Sequence, residues 1–436
     1  MPSGGNVYLF HTLTDAHAIV SSDICAACFG EARPPVPAGG DEQALAAARA
    51  TLAELGFLVE SPEADDRALR TFFTRVRDDA DELRVTVLTT LRCNLACGYC
   101  IQGEHPSHAG HMSLEQADAV SAWIEGRLEA LRSSRLVITF FGGEPLLNVP
   151  ALERVATAVY GAAARRDVDL AIDVVTNGLL LTRALVDRLV PLGLRTVKVT
   201  LDGDAATHDR QRPTHGGRGS FDVILRNLRA VAGACRLSIG GNVPAEAAED
   251  CARLMARIAE EPFASSIGSV SFKPIVPTGA GPDGVGCATS GGALCDSCGL
   301  ADERWTWLRR EAARRGLPTP DGLHMGPCEI HRRHSYTVGP DGRLFVCPGF
   351  ASMPTHATGH VGRPPTAAER DMASRREGLA PWRACGDCCF VPVCGGGCSV
   401  ASAFAAGDMN APTCHRPALE AALAALAHST LQETTP

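Results

Sequence analysis

The sequence contains no apolar run long enough to cross a membrane and no excess of positive charge. A membrane-spanning helix needs about 20 consecutive apolar residues, and no stretch of the 436 residues approaches that length. The formal net charge is −8, from 41 Lys and Arg against 49 Asp and Glu. Nucleic-acid binding depends on a basic surface. We therefore expect a protein that binds neither membranes nor nucleic acid as its main partner.

The N-terminus also lacks the pattern of a secretion signal, because Met1–Asn6 has no basic stretch followed by an apolar one. We therefore expect a cytoplasmic protein. In that reducing compartment, cysteines are metal ligands or catalytic groups more often than disulfides. The chain has 18 cysteines, with three at 93–100 and eight from Cys328 to Cys414. Thiolates select zinc or iron–sulfur clusters over hard metal ions.

Three of these cysteines form a compact motif, Cys93-x3-Cys97-x2-Cys100, directly after the apolar, β-branched stretch 84–90. Three thiolates on one short loop can hold three irons of a [4Fe–4S] cube. The motif has no fourth cysteine, so one iron stays open for a non-protein ligand. Structural zinc sites close their coordination shell and catalytic ones keep a position open, and we extend that logic to the cluster. The loop is therefore predicted to hold a reactive cluster.

Strand-like and helix-like segments alternate from about Val85 to Thr278. Such alternation predicts βαβ units and a parallel sheet. Six units are too few for a closed eight-fold barrel, so we predict an α/β fold with a partial (β/α)6 barrel, open on one side. Its ligand site is expected at the carboxyl ends of the strands. The predicted strands are 85–90, 135–141, 170–175, 196–201, 236–240 and 269–275, and the predicted helices are 113–131, 152–165, 183–192, 221–234 and 246–260.

Three more motifs follow the second, third and fourth predicted strands: Gly142-Gly-Glu-Pro145, Thr176-Asn-Gly178 and Thr200-Leu-Asp-Gly203. A pair of glycines lets the backbone approach a ligand closely. Each motif alone is also typical of a structural turn. All three fall at the same predicted sheet edge as the cysteine loop, and the combination is more specific than any member.

The cysteine motif, with Tyr99 before its last cysteine, and these turns resemble a radical S-adenosylmethionine (SAM) enzyme over about residues 85–280. The resemblance implies a [4Fe–4S] cluster on Cys93, Cys97 and Cys100, whose open iron is chelated by the amine and carboxylate of SAM. It implies that one electron splits SAM to methionine and a 5′-deoxyadenosyl radical, which abstracts a substrate hydrogen. The implied SAM contacts are Gly142, Gly143 and Glu144 for the amine, Asn177 and Thr200 on the ribose or carboxylate side, and, more weakly, Arg212 for the carboxylate.

The cysteine-rich tail resembles the seven-cysteine SPASM extension of radical SAM enzymes, because several spacings match at once. This implies two auxiliary [4Fe–4S] clusters, and a predicted hairpin at 336–346 would position Cys347. The fourth ligand of the second cluster is open: Cys295, Cys298 or Cys389 are candidates, and the alternative is an open iron that binds a substrate thiolate. The implied ligands are Cys385, Cys388, Cys394 and Cys414 for one cluster, and Cys328, Cys347 and Cys398 for the other.

Plainer interpretations compete with these. The Cys-x2-Cys pairs at 25–28, 295–298 and 385–388 also suit zinc, although the joint spacing of the tail favours clusters. Cys25 and Cys28 are expected to be buried structural thiols, with metal or redox roles as alternatives. Cys235 and Cys251 are expected in the core. Five histidines are expected to be surface or loop residues and not ligands: His105, His108, His111, His331 and His334.

The predicted domains are an N-terminal module (1–82), a radical SAM core (83–280), a linker or bridging region (281–325) and a SPASM domain (326–436). The N-terminal module is expected to be a small α+β unit similar to a winged helix. Within it, 7–10 and 57–59 are predicted strands and 42–55 is a predicted helix. Peptide maturases often carry such a module to recognise a leader peptide by strand addition.

We therefore expect a maturase that installs a thioether, a carbon–carbon cross-link or a related oxidation in a ribosomally made precursor peptide. An electron donor such as flavodoxin or ferredoxin is the other expected partner. One alternative is an anaerobic sulfatase-type maturase that forms formylglycine. It loses weight because Pro348 follows Cys347, where that group has an aspartate as catalytic base. A small-molecule radical SAM enzyme and an iron–sulfur electron carrier are the others. No general base is assigned.

Overall fold

The computed structural model of this protein describes residues 2–3, 5–30, 42–100, 110–243, 247–274, 303–319, 323 and 327–433. Its N-terminal part is a three-stranded antiparallel sheet followed by three helices, which together make a small α+β module. The strands are β1 (Pro2–Ser3), β2 (Asn6–Phe10) and β3 (His17–Ser21), in the order β1-β2-β3. The helices are α1 (Ser22–Phe29), α2 (Glu42–Glu54) and α3 (Pro62–Asp78).

The strand predicted at 57–59 is wrong. Gly56 has a φ of +87°, and a glycine in this region commonly ends a helix. The backbone N–H of Phe57 bonds to the carbonyl of Leu52 at 2.8 Å, so these residues cap α2 and do not extend. The Phe57 ring then packs edge-on against His11, with 5.6 Å between ring centres.

The middle of the chain is a parallel sheet whose strands alternate with helices. The strands pair in chain order, and they are β4 (Glu82–Leu88), β5 (Arg135–Phe141), β6 (Asp169–Thr176), β7 (Leu194–Thr200), β8 (Arg236–Val243) and β9 (Ile267–Pro274). The helices are α4 (Leu114–Leu131), α5 (Val149–Ala164), α6 (Arg183–Leu189), α7 (Ala205–Gln211), α8 (Phe221–Val231) and α9 (Ala248–Ala259). The predicted partial barrel is confirmed, and α7 is a helix that the pattern did not predict.

Alternate residues of the barrel strands build the core. Val85 and Val87 of β4, like Val197 and Val199 of β7, are buried in one hydrophobic cluster with the surrounding helices. Successive strand residues point to opposite faces, so the polar residues between these valines face the inside of the barrel. The carboxyl ends of the strands therefore meet around a polar interior.

Part of the predicted linker or bridging region (281–325) is a packed helix, α10 (Glu303–Arg314). Leu308 and Ala312 of α10, and Leu317 beyond it, are buried in the barrel core. The backbone N–H of Val270 in β9 also bonds to the Pro318 carbonyl at 2.7 Å. The cysteines Cys295 and Cys298, proposed as candidate ligands, lie outside the described residues.

The cysteine-rich tail continues the barrel sheet. The predicted hairpin forms as β10 (Ser335–Val338) and β11 (Arg343–Phe345), and β11 pairs with β12 (Gly359–His360). Strand β10 pairs in parallel with β4, so the nine-stranded order is β12-β11-β10-β4-β5-β6-β7-β8-β9. The remaining helices are α11 (Ala367–Glu377), α12 (Val391–Cys394), α13 (Ser399–Ala406) and α14 (Arg416–Glu433).

The N-terminal module docks on this tail through direct contacts. The ring of Phe73 in α3 stacks on Trp382, with 3.9 Å between ring centres and 4° between planes. The Thr12 hydroxyl donates to the Cys389 carbonyl at 2.6 Å. A cleft lies between the two parts and is lined from both sides. Among the described helices, none combines the length and apolarity needed to span a bilayer.

Candidate active site at the carboxyl ends of the barrel strands

The cysteine loop leaves the carboxyl end of β4 and is held against the segment that follows α7. The Ala96 N–H donates to the Pro213 carbonyl at 2.8 Å, and Leu95, fully buried, forms an isolated antiparallel bridge with Thr214. A ring nitrogen of His215 lies 3.0 Å from the Cys93 carbonyl oxygen. The loop that carries the three cysteines is therefore anchored at its centre from across the barrel.

The three cysteines of this loop are partly buried. Burial raises the pKa of Cys93 and of Cys97 to about 11. The charge of Cys97 adds to the rise at Cys93, and the charge of Cys100 adds to it at Cys97, so the three sulfurs are close enough to interact. Metal binding would release their protons, because a thiolate is the ligating form. This donor set, three mutually close thiols, fits a cube with one open iron.

The paired glycines after β5 make room for the cysteine loop itself. A Cβ at Gly142, where φ is +133°, would lie 2.3 Å from the Thr90 carbonyl oxygen, and one at Gly143 would lie 2.1 Å from that of Arg92. The N–H groups of Gly143 and Glu144 bond to these two carbonyls at 3.0 and 2.8 Å. The paired glycines were expected to let the backbone approach a ligand closely. In the structure they let it approach the loop that carries the cysteines.

Glu144 is completely buried and ties the ends of β5 and β6 together. Its carboxylate accepts from the Leu146 N–H at 3.0 Å, the Thr176 hydroxyl at 2.7 Å and the Asn177 N–H at 2.7 Å. Burial raises the pKa of this carboxyl, although the three hydrogen bonds oppose the rise. Glu144 therefore positions the Thr176-Asn-Gly178 turn, and its contact with the SAM amine stays a prediction.

Asn177 reaches from the end of β6 back to the cysteine loop. Its side-chain nitrogen lies 2.6 Å from Asn94 Oδ1 and 3.8 Å from Cys93 Sγ. Its side-chain oxygen accepts from the Leu179 N–H at 3.0 Å. Asn177 is thus placed beside the first motif cysteine. Thr200, the other residue predicted for this side of SAM, is half-buried at the end of β7 and pairs with Gly240 of β8.

Arg212 belongs to a buried network that the motifs did not reveal. Its Nη1 donates to the Tyr99 hydroxyl at 2.7 Å and lies 3.5 Å from Asp202 Oδ2. The Tyr99 hydroxyl donates to Asp202, which also accepts from the Asn242 N–H at 2.8 Å. Burial lowers the pKa of Arg212, but Tyr99, Asp202 and Cys97 raise it more, and the guanidinium stays charged. Its Nε is buried and has no hydrogen-bond partner within the described part of the chain.

His208 supports this network from α7. It is fully buried, its Nδ1 accepts from the Asp202 N–H at 3.3 Å, and its Nε2 lies 3.0 Å from the Ser220 hydroxyl. Burial lowers the pKa of His208 to about 3, so the ring is neutral with its proton on Nε2. In the sequence, one feature indicates that His208 and Arg212 belong to the site. They follow shortly after the Thr200–Gly203 turn.

The tail cysteines fall into two neighbouring groups. The pKa of Cys385 is raised by burial and then by the charges of Cys388 and Cys414, and that of Cys394 by burial and then by Cys385 and Cys388. The pKa of Cys328 is raised by burial and, more weakly, by Cys398, and Cys347 and Cys398 pack against one hydrophobic cluster. The groups contain the residues of the two implied ligand sets, whose metal binding stays a prediction.

Within the described ranges, no three Cys, His, Asp or Glu side chains converge on a single-ion site. None of the cysteines in those ranges forms a disulfide. In a cube each thiolate binds a different iron, so the ligands stand further apart than around one zinc ion.

The cysteines outside the motifs are placed as follows. Cys251 is fully buried and Cys235 packs against the barrel core, as expected for core residues. Cys25 and Cys28 lie on α1, half-buried and not fully enclosed. Cys389 is exposed beside Cys388.

One histidine prediction is wrong. His331 is neither a surface nor a loop residue, because its side chain is 7% exposed and it lies in a 3-10 turn, Glu329–His331. His111 is exposed, as expected, and His334 is partly buried. His105 and His108 lie outside the described residues.

Comparisons with known proteins agree with the barrel and its cysteine loop. Residues 87–255 match the model of the Radical SAM superfamily. The chain is 35% identical over 147 residues to GTP 3′,8-cyclase of Chlorobaculum tepidum, covering 33% of this chain and 39% of the cyclase. It is 24% identical over 333 residues to the serine-type anaerobic sulfatase-maturating enzyme of Klebsiella aerogenes, covering 70% of this chain and 76% of that enzyme. The chain spans less than half the length of the first curated relatives it matches.

Solved structures support the fold as a whole. The structure of anSMEcpe with bound AdoMet and a peptide matches with a TM-score of 0.60 at 14% identity, over 80% of this chain and 99% of that chain. At this identity the match concerns the fold alone. It extends beyond the segment matched by the superfamily and includes most of the described chain.

Proposed function

We propose, on the premise that residues 87–255 form a radical SAM domain, that this protein modifies a ribosomally made precursor peptide in the cytoplasm. The single observation that carries the proposal is where the cysteine-rich tail sits. Leu88, the last residue of β4, packs in one hydrophobic cluster with Val346, Cys347 and Cys398. Cys347 and Cys398 therefore lie next to β4, the strand that leads into the Cys93–Cys100 loop.

The radical SAM superfamily uses a [4Fe–4S] cluster and SAM, and together they supply one-electron cleavage of SAM and hydrogen abstraction from a substrate carbon. Cys93, Cys97 and Cys100 are proposed to hold the cluster. Arg212 would pair with the SAM carboxylate, because a guanidinium suits bidentate carboxylate pairing. Its buried Nε donates to no group of the described residues and could donate to such a ligand.

The other SAM contacts are proposed for the turns. The backbone of Gly142 and Gly143, with Glu144, would bind the amine, since a buried carboxylate attracts an ammonium group. Asn177 and Thr200 would line the ribose or carboxylate side. The two groups of tail cysteines are proposed to hold two auxiliary clusters, which accept the second electron or bind a substrate sulfur.

The N-terminal module is proposed to recognise the leader of the precursor peptide. Within the described residues, β3 is at the edge of the three-stranded sheet and pairs on one side only, with β2. A peptide can add to such an edge as a further strand through backbone hydrogen bonds. Hydrogen exchange of the His17–Ser21 amides, with and without a precursor peptide, tests this. Slower exchange is expected, and no change would remove the role.

Iron content and SAM cleavage test the core of the proposal. After anaerobic reconstitution, about twelve irons per chain are expected from three cubes, and about four would exclude both auxiliary clusters. SAM with a flavodoxin, a ferredoxin or dithionite should yield 5′-deoxyadenosine. Replacing Cys93, Cys97 and Cys100 by Ala should remove about four irons and all SAM cleavage. Cys251→Ala, in the core, is the matched control and should keep both.

The substrate class is tested by mass spectrometry on short peptides encoded beside the gene. A mass change that requires SAM and the leader supports the maturase. GTP serves as the small-molecule comparison, because one relative is a GTP cyclase, and its SAM-dependent consumption would overturn the peptide assignment.

A second candidate is formylglycine formation, favoured by the sulfatase-maturase relative that covers 70% of this chain. The structure places Pro348 at the start of a 3-10 turn directly after Cys347, and proline cannot accept a proton. A sulfatase-type peptide with Cys or Ser at the target position should therefore stay unmodified, and its oxidation would favour the second candidate.

A further inference from the structure

His331 is a buried side chain that none of the roles above uses. Only 7% of it is exposed, and neither ring nitrogen has a hydrogen-bond partner among the residues that the structure describes. A buried polar atom left unpaired destabilises a folded protein, so such a ring calls for an explanation. The ring is also held in place, since it meets Trp382 edge-on with 5.1 Å between ring centres.

The backbone brings His331 close to Cys328. Cys328 is the residue that precedes the 3-10 turn Glu329–His331, and the His331 N–H bonds to the Cys328 carbonyl at 2.9 Å. Cys328 in turn interacts electrostatically with Cys398.

The His331 ring also lies next to the glycine-rich loop between Cys394 and Cys398. A Cβ at Gly395 would lie 3.7 Å from His331 Nε2, so the imidazole rests against this loop. His331 therefore lies between Cys328 and the loop that connects Cys394 to Cys398. Cys328 and Cys398 belong to the auxiliary set for which three thiols are implied.

We infer that His331 supplies the fourth ligand of the auxiliary cluster held by Cys328, Cys347 and Cys398. The inference rests on the proposed function, because it presupposes that cluster. An imidazole binds iron through a neutral ring nitrogen, without loss of a ring proton from the other. Burial lowers the pKa of His331 to about 4, so the ring is in this neutral form near pH 7. One histidine in place of one thiolate makes the cluster less negative by one charge and raises its reduction potential.

The experiment isolates the auxiliary clusters by replacing Cys93, Cys97 and Cys100 with Ala. The protein, labelled with 15N-histidine, is reconstituted anaerobically, and about eight irons per chain are expected from two cubes. In the reduced protein, electron–nuclear double resonance should show a directly bound nitrogen. His331→Ala should remove this coupling and lose about one iron per chain on oxidation, which leaves a three-iron cluster.

Two further variants keep the test decisive if His331→Ala folds poorly. His331→Cys should lose the nitrogen coupling, keep about eight irons and shift one cluster to a lower midpoint potential, because a thiolate adds a negative charge. His334→Ala is the matched control, three residues along the same segment, and should leave the nitrogen coupling and the iron content unchanged.

The outcomes separate this inference from the proposed function. If the protein holds about eight irons but shows no bound nitrogen, or if the coupling survives in both His331 variants, His331 is not a ligand and the auxiliary clusters stand. If the protein holds about four irons or fewer, the cluster itself is absent, and both the inference and the proposed auxiliary clusters are overturned.

Discussion

Arg212 donates a hydrogen bond to the hydroxyl of Tyr99 across 2.7 Å, and this contact joins the segment after α7 to the cysteine loop. Arg212 is buried and Tyr99 is partly buried, and both contact the carboxylate of Asp202. The hydroxyl thus links a buried cation to a buried anion. The orientation of Arg212 toward its proposed ligand depends on it.

Tyr99→Phe removes that link and leaves the ring in place. We expect the affinity for SAM to fall about tenfold, which corresponds to about 1.4 kcal/mol and matches the loss of one hydrogen bond to a charged group. Equilibrium binding of SAM to the reconstituted protein is the measurement. Tyr336→Phe is the matched control, because Tyr336 also accepts from an arginine, Arg127 at 3.1 Å, but on the outer side of β10. Equal losses in both variants would contradict the assigned role.

Gly143→Ala should displace the cysteine loop. Its Cβ would lie 2.1 Å from the Arg92 carbonyl oxygen, and backbone atoms cannot move aside as a flexible side chain can. We expect the free energy of unfolding to fall by about 1–3 kcal/mol, with a loss of up to about four irons per chain. Denaturant titration and iron analysis give the two numbers.

Gly126→Ala is the control for that change. Gly126 lies within α4, and its Cβ would meet nothing within 4 Å. Alanine is the better helix former, so this variant should gain about 0.5–1 kcal/mol and keep its iron. A stable, fully loaded Gly143→Ala protein would show that the close approach is not required.

Glu144→Gln keeps the size of the side chain but replaces one acceptor oxygen with an NH₂ donor. One of its three donors, Leu146 N–H, Thr176 hydroxyl or Asn177 N–H, then loses its partner. We expect a loss of about 1–3 kcal/mol in the free energy of unfolding and weaker SAM binding. Glu369→Gln is the control, since Glu369 is a buried carboxylate bonded to Arg363 and the Thr366 N–H in the tail. It should lose stability but bind SAM normally.

His208 predicts how stability depends on pH. Its folded pKa is about 3, against an ordinary value of 6.5, so below pH 6.5 the unfolded chain binds a proton that the folded protein does not. The stabilisation is therefore complete above pH 6.5 and is lost progressively as the pH falls toward 3. At pH 5 the loss is about 2 kcal/mol.

Urea unfolding of the wild type and of His208→Asn between pH 7.5 and 4.5 measures this effect. Asparagine has no proton to gain, so the variant should be less stable at pH 7.5 but show the shallower decline. His17→Asn, at an exposed position of β3, should follow the wild-type slope. Parallel slopes for all three proteins would contradict the prediction.

Local sequence patterns were sufficient to predict the strands and most of the helices of the barrel. β-branched residues and aromatics mark the strands, and Ser113 marks the start of α4, where its hydroxyl accepts from the Gln116 N–H at 3.1 Å. These signals depend on neighbours within a few residues, which is why they are legible in one sequence. The prediction of a strand at 57–59 was wrong because it also used neighbouring residues alone. Its apolar residues suggested extension, while the cap at Gly56 decided the backbone.

Contacts between distant segments could not be predicted from local sequence patterns. Nothing local indicates that β10 pairs with β4, with Tyr336 opposite Val85, because strand partners are chosen by packing between distant segments. The burial of His331 likewise follows from Trp382 and the glycine loop closing over it. A histidine in a polar stretch gives no local sign of such burial.

The sequence by itself determined the three-cysteine loop, the glycine turns and the alternating strands that bring them to one sheet edge. The spacing of the three cysteines is sufficient to indicate a metal-binding loop, because all three ligands lie within a few residues of one another. Only the tertiary structure decided that Asp202, Asn242 and His208 orient Arg212 and Tyr99, and that the tail joins the barrel sheet. Those contacts arise between residues far apart in the chain, where burial and the demand that buried polar groups be paired select the partners.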